Sequence, residues 1–174
     1  MMSGKLRHIL KGRRGFSLLE VVLALFIITV VGAAVSTATF QMVRQSAKNR
    51  DYTTASQFTM NAVHWISRDA EMSQSIGIGG PTGFPLTLSW VDWGNTTYRV
   101  VYTVVNGQLK RSYSVNNGTP VQTLLAESVN MVSENTTCEF SNRTLTLRVT
   151  STVGEGAHAV SVTNMREIFM RSMP

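Results

Sequence analysis

The chain begins with an apolar stretch that lacks the alternation of a strand and the one-sided pattern of a surface helix. Residues 16 to 35 are apolar or small at almost every position, and Glu20 is the one charged residue among them. Twenty residues of helix cover about 30 Å, which is the thickness of the hydrocarbon core of a bilayer. The pattern therefore predicts a helix that is long enough to span a membrane.

A helical pattern continues beyond this stretch. Between residues 16 and 76 there is no proline, and the one glycine is Gly32. That glycine and the small residues after it mark a weak point, because glycine costs about 1 kcal/mol relative to alanine in a helix. Apolar residues then recur every three or four positions, at Ala55, Phe58, Ala62, Trp65, Ile66 and Met72. We therefore expect one helix over 16–76 whose second half packs on a sheet.

Strand patterns follow the glycine- and proline-rich segment at residues 77 to 85. Residues 86 to 93 alternate in polarity, and residues 97–105 and 108–115 flank Asn106-Gly107, a strong hairpin signal. A two-residue turn there pairs Val104 with Leu109, Tyr102 with Arg111 and Val100 with Tyr113, which gives one apolar face. Arg111 is the one charged residue on that face. Its side chain could make a cation–π contact with Tyr102 or reach around the sheet edge, and we expect the second.

The rest of the chain has weaker patterns. Residues 121–132 fit either a strand or a helix-like connector, and strands are predicted near 136–141, 144–153 and 158–164. The tail from residue 165 to 174 fits a loose end or a short docking segment. The predicted fold class is α+β: a long N-terminal α-helix, transmembrane in its first half, packed on an antiparallel β-sheet head.

Charge is concentrated at the N-terminus. Residues 1–15 contain five basic residues and no acid, whereas the whole chain of 174 residues has a formal net charge of +6. The high pI of about 10.0 thus describes a short tail and not a basic surface, so we expect no nucleic-acid partner. The positive-inside rule keeps this tail in the cytoplasm and places the head outside.

No group of residues suggests catalysis or a cofactor. The three histidines, His8, His64 and His158, are far apart in the sequence, and the glycine-rich turn follows a helix, the wrong order for a phosphate-binding loop. Cys138 is the one cysteine, so it has no internal disulfide partner, and we expect it to be a small buried hydrophobe. The sequence indicates no enzyme, no cofactor and no metal site.

Glu20 remains to be explained, because a carboxylate weakens a plain membrane anchor. In one interpretation it lies close to the lipid headgroups and is neutralised by Arg13 and Arg14. The string "RRGFSLLEVVLALFIITVV" resembles the N-terminal signature of type IV pilins and type II secretion pseudopilins, with Gly15, Phe16 and Glu20 at the matching positions. The resemblance implies that a prepilin peptidase cuts between Gly15 and Phe16 and that the new amine of Phe16 is N-methylated. It also implies assembly contacts at Phe16 and Glu20, in which Glu20 faces the N-terminal ammonium of a neighbouring subunit.

A second, less specific resemblance concerns the head. The stretches "WISRDAEMSQSI", "NGQLKRSYS" and "LLAESVNMVSE" are similar to minor pseudopilins of the J type. The N-terminal signature and the sequence patterns together predict a basic leader at 1–15, a long helix at 16–76 with its transmembrane or filament-core part at 16–35, and a β-rich head at 77–174. The implied function is a minor subunit at or near the tip of a type II secretion pseudopilus or a type IV pilus-like filament, in protein transport.

The implied partners are the prepilin peptidase, other pilin or pseudopilin subunits and the bacterial inner membrane, which the chain crosses once before its head enters a periplasmic or surface filament.

Three alternatives stay open. The small residues ending at Ala38 would suit an ordinary signal peptidase. A singly anchored binding protein would never polymerise. A minor pilin for adhesion or DNA uptake would use a basic patch, for which Arg99, Lys110 and Arg111 are a small candidate.

Overall fold

The computed structural model describes residues 17–132 and 134–170, and it confirms the α+β class. The chain divides into two compact units between Gln45 and Ser46. The elements in chain order are α1 (Leu18–Met72), β1 (Ser75–Ile78), β2 (Leu86–Val91), β3 (Thr97–Val105), β4 (Gln108–Val115), β5 (Val121–Ala126), β6 (Thr137–Ser141), β7 (Thr144–Val153) and β8 (Val160–Phe169), with a short 3-10 helix at Gly156–His158.

The described part of the first unit is helical. It contains the first residues of α1, which continue through Gly32 without a break. Every described residue of this unit is exposed. The sequence predicts a weak point at Gly32, but α-helical hydrogen bonding is kept there because no proline removes a donor.

The second unit contains the hydrophobic core. The C-terminal part of α1 buries one face there, and Ala62, Ile66 and Ala70 are fully or almost fully buried. Leucine, valine and tyrosine side chains of both sheets complete the core: Leu86, Leu88, Val100, Tyr102, Leu109, Leu145, Leu147 and Val149. Of the predicted apolar face, Ala55 is also buried, and Phe58 and Trp65 are partly buried. The prediction for Met72 was wrong, because this side chain is 42% exposed at the end of the helix.

Two antiparallel sheets form this unit. The first has the order β1-β2-β3-β4-β5, and the second has the order β6-β7-β8. The predicted hairpin register is confirmed, since Val104 lies opposite Leu109 and Tyr102 lies opposite Arg111. The turn residues Asn106 and Gly107 both have positive φ, 52° and 73°, as a type I′ turn requires.

The helix ends earlier than the sequence suggested. It stops at Met72, not at residue 76, and the Ser73 hydroxyl donates to the Ala70 carbonyl at 2.8 Å. The Gln74 side chain then bonds both the amide and the carbonyl of Val91, which aligns the following residues with β2. Residues 75–78 are therefore an edge strand that the sequence analysis missed.

Two undecided segments prove to be strands. Residues 121–126 form β5, which pairs with β4. Residues 165–169, the first half of the tail, are the second half of β8 and pair with β7 as far as Phe169. The alternating burial of a strand continues into this part of the tail: Ile168 is 2% exposed and lies in the core, while Phe169 is 73% exposed.

Candidate assembly site

Glu20 lies in the first turn of α1, where its backbone amide donates to the Ser17 carbonyl at 2.9 Å. Its side chain is exposed. An acidic group in a first turn interacts favourably with the partial positive charge of the helix N-terminus, by about 0.3–1 kcal/mol. The local structure thus tolerates a carboxylate here, although the sequence around it is apolar.

The surroundings of Glu20 on the helix are apolar on every side. Residues 21 to 43 contain no charged residue. Most large side chains along this stretch are more than half exposed, for example Leu23 at 59%, Phe26 at 65% and Ile28 at 66%. An isolated helix of this kind does not suit water, so a bilayer or other apolar helices must cover it. Among the described residues, α1 is the one helix long and apolar enough to cross a membrane.

Hydroxyl side chains in the same stretch do not expose their donors to an apolar environment. Ser36, Thr37 and Thr39 each donate to the carbonyl four residues earlier, at 2.8–2.9 Å, and Thr29 donates to Phe26. Such internal bonds allow serine and threonine in lipid-exposed helices. Since serine and threonine do not ionise, Glu20 is the one ionisable side chain between Ser17 and Val43.

The other predicted site residues, Gly15 and Phe16, lie outside the described residues, as does the basic leader at 1–15. The structure consequently gives the position of Glu20 on the helix but no distance between Glu20 and Phe16. The roles of Gly15 in cleavage and of Phe16 in cleavage and assembly stay predictions.

The second unit contains a buried charged cluster that the sequence analysis missed. Asp69 of α1 accepts two hydrogen bonds from Arg111 of β4, from Nε at 2.7 Å and from Nη2 at 3.1 Å, and one from the Tyr102 hydroxyl. The Asp69 and Arg111 side chains are only 2% and 13% exposed. This pair joins the helix to β4 of the first sheet.

The expectation for Arg111 was therefore wrong: its side chain points to the helix and not around the sheet edge. The rings of Trp65 and Tyr113 lie 5.0 Å and 4.9 Å from its guanidinium carbon, within the range of cation–π contacts. An arginine on the apolar face of the hairpin required an acid on the facing helix, and Asp69 stands on the apolar face next to Ala70. Both residues can be seen in the sequence, but nothing local links two positions that lie 42 residues apart.

The electrostatics of the cluster follow from burial and from this pairing. Burial, assisted by the charge of Asp69, raises the pKa of Tyr102 far above its usual value, so the hydroxyl keeps its proton. For Arg111, burial alone would lower the pKa, but the hydrogen bonds and charge of Asp69 outweigh it and raise the pKa. Tyr102 therefore stays protonated and Arg111 stays charged at neutral pH.

Cys138 is buried, at 2% exposure, as expected. Burial, with a smaller contribution from the charge of Glu139, raises its pKa to about 12. A thiol with such a pKa is almost wholly protonated at neutral pH and is a poor nucleophile. In the described part of the chain, no three histidine, cysteine or acidic side chains come together as metal ligands would.

The comparison with protein families agrees with the N-terminal pattern. The family model described as the prokaryotic N-terminal methylation motif matches residues 10–36, which include Gly15, Phe16 and Glu20. Comparisons with curated proteins and with solved structures gave no match. The motif and the long apolar helix together support a precursor of the type IV pilin-like class that is anchored in a membrane.

Proposed function

We propose that this chain is a minor subunit of a pilin-like filament. A prepilin peptidase cuts the precursor between Gly15 and Phe16 and methylates the new amine, and the apolar part of α1 then packs among the helices of other subunits. The observation that carries the proposal is Glu20, the one ionisable side chain in an apolar stretch that matches the methylation motif. A plain anchor gains nothing from this carboxylate.

The proposed assembly contact is between Glu20 and the N-terminal ammonium of a neighbouring subunit. A carboxylate within an apolar helix bundle costs several kcal/mol unless a cation pairs with it. Cleavage before Phe16 creates such a cation and removes the five basic residues of the leader. Processing and assembly are in this way coupled through one pair of charges.

The remaining features fit a low-abundance subunit of a type II secretion pseudopilus or a related filament, at or near its tip, with the head outside the cytoplasm. The head has a buried and inert thiol and an Asp69–Arg111 pair that is already satisfied. These groups support a structural role for the head, in contacts with sister subunits or cargo, and not an enzymatic one.

The test compares Glu20→Gln, which removes the charge and keeps the shape, with Gln41→Ala, an exposed polar position on the same helix outside the motif. We expect both variants to be cleaved normally. Glu20→Gln should be recovered in sheared filaments or in the assembled pseudopilus at about a tenth of the wild-type amount or less, because its neighbour's ammonium stays unpaired. Filaments with wild-type amounts of Glu20→Gln would rule out the assembly contact.

A further inference from the structure

A short basic segment follows the charge-free apolar stretch directly. Residues 21–43 contain no charged residue, and Arg44, Lys48 and Arg50 come immediately after them. All three belong to α1, and all three are exposed. Because this segment lies between the apolar stretch and the strands in the chain, it stays on the same side of a membrane as the strands, in either orientation of the span.

The length of the apolar stretch brings the basic segment to the lipid headgroups. The 23 residues from 21 to 43 extend about 35 Å as a helix, whereas the hydrocarbon core is about 30 Å thick. Arg44 follows this stretch without a gap, and the helical residues 46–50 rise only about 6 Å. The headgroup layer on each side is about 5–7 Å thick, and long basic side chains direct their charges into it. A span of residues 21–43 therefore places these cations at the level of the lipid phosphates.

The positive charge of the segment is not neutralised within the chain. Among the described residues, neither of the two ion pairs includes Arg44, Lys48 or Arg50. The nearest acid in the sequence is Asp51, which is only partly exposed. Its carboxylate lies near the β7–β8 connection, where a Cβ built on Gly154 would be 3.4 Å from Oδ2. Three exposed cations are thus left to interact with groups outside the chain.

We propose that Arg44, Lys48 and Arg50 bind the phosphates of anionic lipids in the leaflet next to the basic segment. Guanidinium and ammonium groups both form charge-assisted hydrogen bonds with phosphate, and an anionic lipid has a net charge that a zwitterionic lipid lacks. The membrane is the occupant because the apolar stretch of the same chain inserts into it and carries these residues to its surface. The contact opposes withdrawal of the apolar stretch from the membrane.

This inference goes beyond the proposed function. It rests on the membrane anchor, which the methylation motif and the apolar helix support. It needs neither cleavage before Phe16 nor the assembly contact of Glu20, so it can fail while the proposed function holds, and the reverse.

The test measures which lipid gathers beside the basic segment. The full chain carries Ser46→Cys, labelled with a bimane fluorophore, and is reconstituted in phosphatidylcholine vesicles. Ser46 is exposed within the segment, while Cys138 is buried and unreactive at neutral pH. A small fraction of the lipid carries a nitroxide quencher near the top of one acyl chain, and this labelled lipid is phosphatidylglycerol in one sample and phosphatidylcholine in the other.

The measured quantity is the ratio of the two quenching constants, which cancels differences in the depth of the bimane. Nitroxides quench only over short distances, so lipids of the opposite leaflet do not contribute. We expect labelled phosphatidylglycerol to quench about threefold more strongly than labelled phosphatidylcholine, because each cation near the surface attracts the anionic lipid. The ratio should fall towards one as salt screens the charges.

Two triple variants of the Ser46→Cys chain separate the segment from the overall charge of the protein. Arg44→Gln/Lys48→Gln/Arg50→Gln should bring the ratio to about one. The control removes the same charge from exposed arginines of the second unit and should leave the ratio unchanged: Arg99→Gln/Arg143→Gln/Arg148→Gln.

Three results would overturn the proposal. One is a ratio of one in the chain that keeps its basic segment. Another is a raised ratio that survives the loss of Arg44, Lys48 and Arg50. The third is a ratio that falls when more protein is added per lipid, because the basic residues would then face another copy of the chain and not the lipid.

Discussion

Asp69 and Arg111 show how one residue pair determines the position of the helix on the sheet. Both charges are taken out of water, and their desolvation is offset because the guanidinium bonds two carboxylate oxygens and Tyr102 supplies a third donor. Removing one partner leaves the other charge buried and unpaired. The exposed Arg166–Glu71 pair, at 3.8 Å, has no such consequence because water screens it.

This contrast gives the first prediction. Asp69→Asn should lower the free energy of unfolding by about 3 kcal/mol or more, and Tyr102→Phe by about 1–2 kcal/mol. Glu71→Gln, the exposed control, should have almost no effect. Urea unfolding of the full chain in detergent, followed by tryptophan fluorescence, measures all three, and a larger loss for Glu71→Gln than for Asp69→Asn would refute the assignment.

The Cys138 thiol gives a prediction about pH. Its pKa in the folded chain is about 12, against 9.0 for the unperturbed thiol. Between these values the folded state binds more protons than the unfolded state, so the free energy of unfolding should fall as the pH rises through this window. Cys138→Ala should show a weaker fall. At pH 8 a thiol reagent should label the wild type only after denaturant is added; rapid labelling of the folded chain would contradict the burial of Cys138.

At the scale of elements, the turns fix where the strands meet. Gly107 occupies the αL position of the β3–β4 turn. Gly83 lies in the β1–β2 connection with φ of 84°, and a Cβ built on it would lie 1.9 Å from the Cys138 carbonyl oxygen of β6. Gly107 is therefore needed only because its backbone has a positive φ. Gly83 is needed for the same reason and also because its lack of a side chain lets β6 of the other sheet approach closely.

The two glycines should accordingly differ in sensitivity. Gly107→Ala should cost about 1–2 kcal/mol, the strain of an L-residue in the αL region. Gly83→Ala should cost clearly more, because the backbone of β6 must also move away. Thermal unfolding of both variants tests the difference, and equal losses would show that the contact with β6 is unimportant.

The sequence predicts most elements but not all of their ends. Periodicity finds the helix, the hairpin and its register because each has a strong local signal. The end of the helix was placed too late because Gln74 aligns the next residues with Val91, 17 positions away. Asp69 was missed for the same reason: its significance depends on Arg111, which lies 42 residues further along the chain.

At the scale of the whole molecule, the exposed apolar helix requires a membrane or a helix bundle. The charge-free residues 21–43 would extend about 35 Å as a helix, enough for the hydrocarbon core of a bilayer. We expect the chain to stay in the membrane pellet after washing with high salt and with alkaline carbonate, and to dissolve in detergent. Release by carbonate would contradict a membrane-spanning anchor.

Glu20 could be selected from the sequence alone, because a carboxylate in an apolar run is a local feature. Its partner could not be identified in this way. The proposed cation belongs to a second subunit and exists only after cleavage, so neither one chain nor its fold contains the complete site. The position of β5 at one end of the first sheet was also beyond prediction, since it depends on the order of the strands.

The most direct test of the central claim is the intact mass and N-terminal sequence of the chain recovered from membranes of its native host. The account predicts a chain that begins at Phe16 and carries one additional methyl group on its amine. A chain that begins at Met1 would indicate a plain anchor, and one that begins near Thr39 would indicate an exported head. Neither chain would have a new ammonium at Phe16 to pair with Glu20 of a neighbouring subunit, so either result would contradict the proposed assembly.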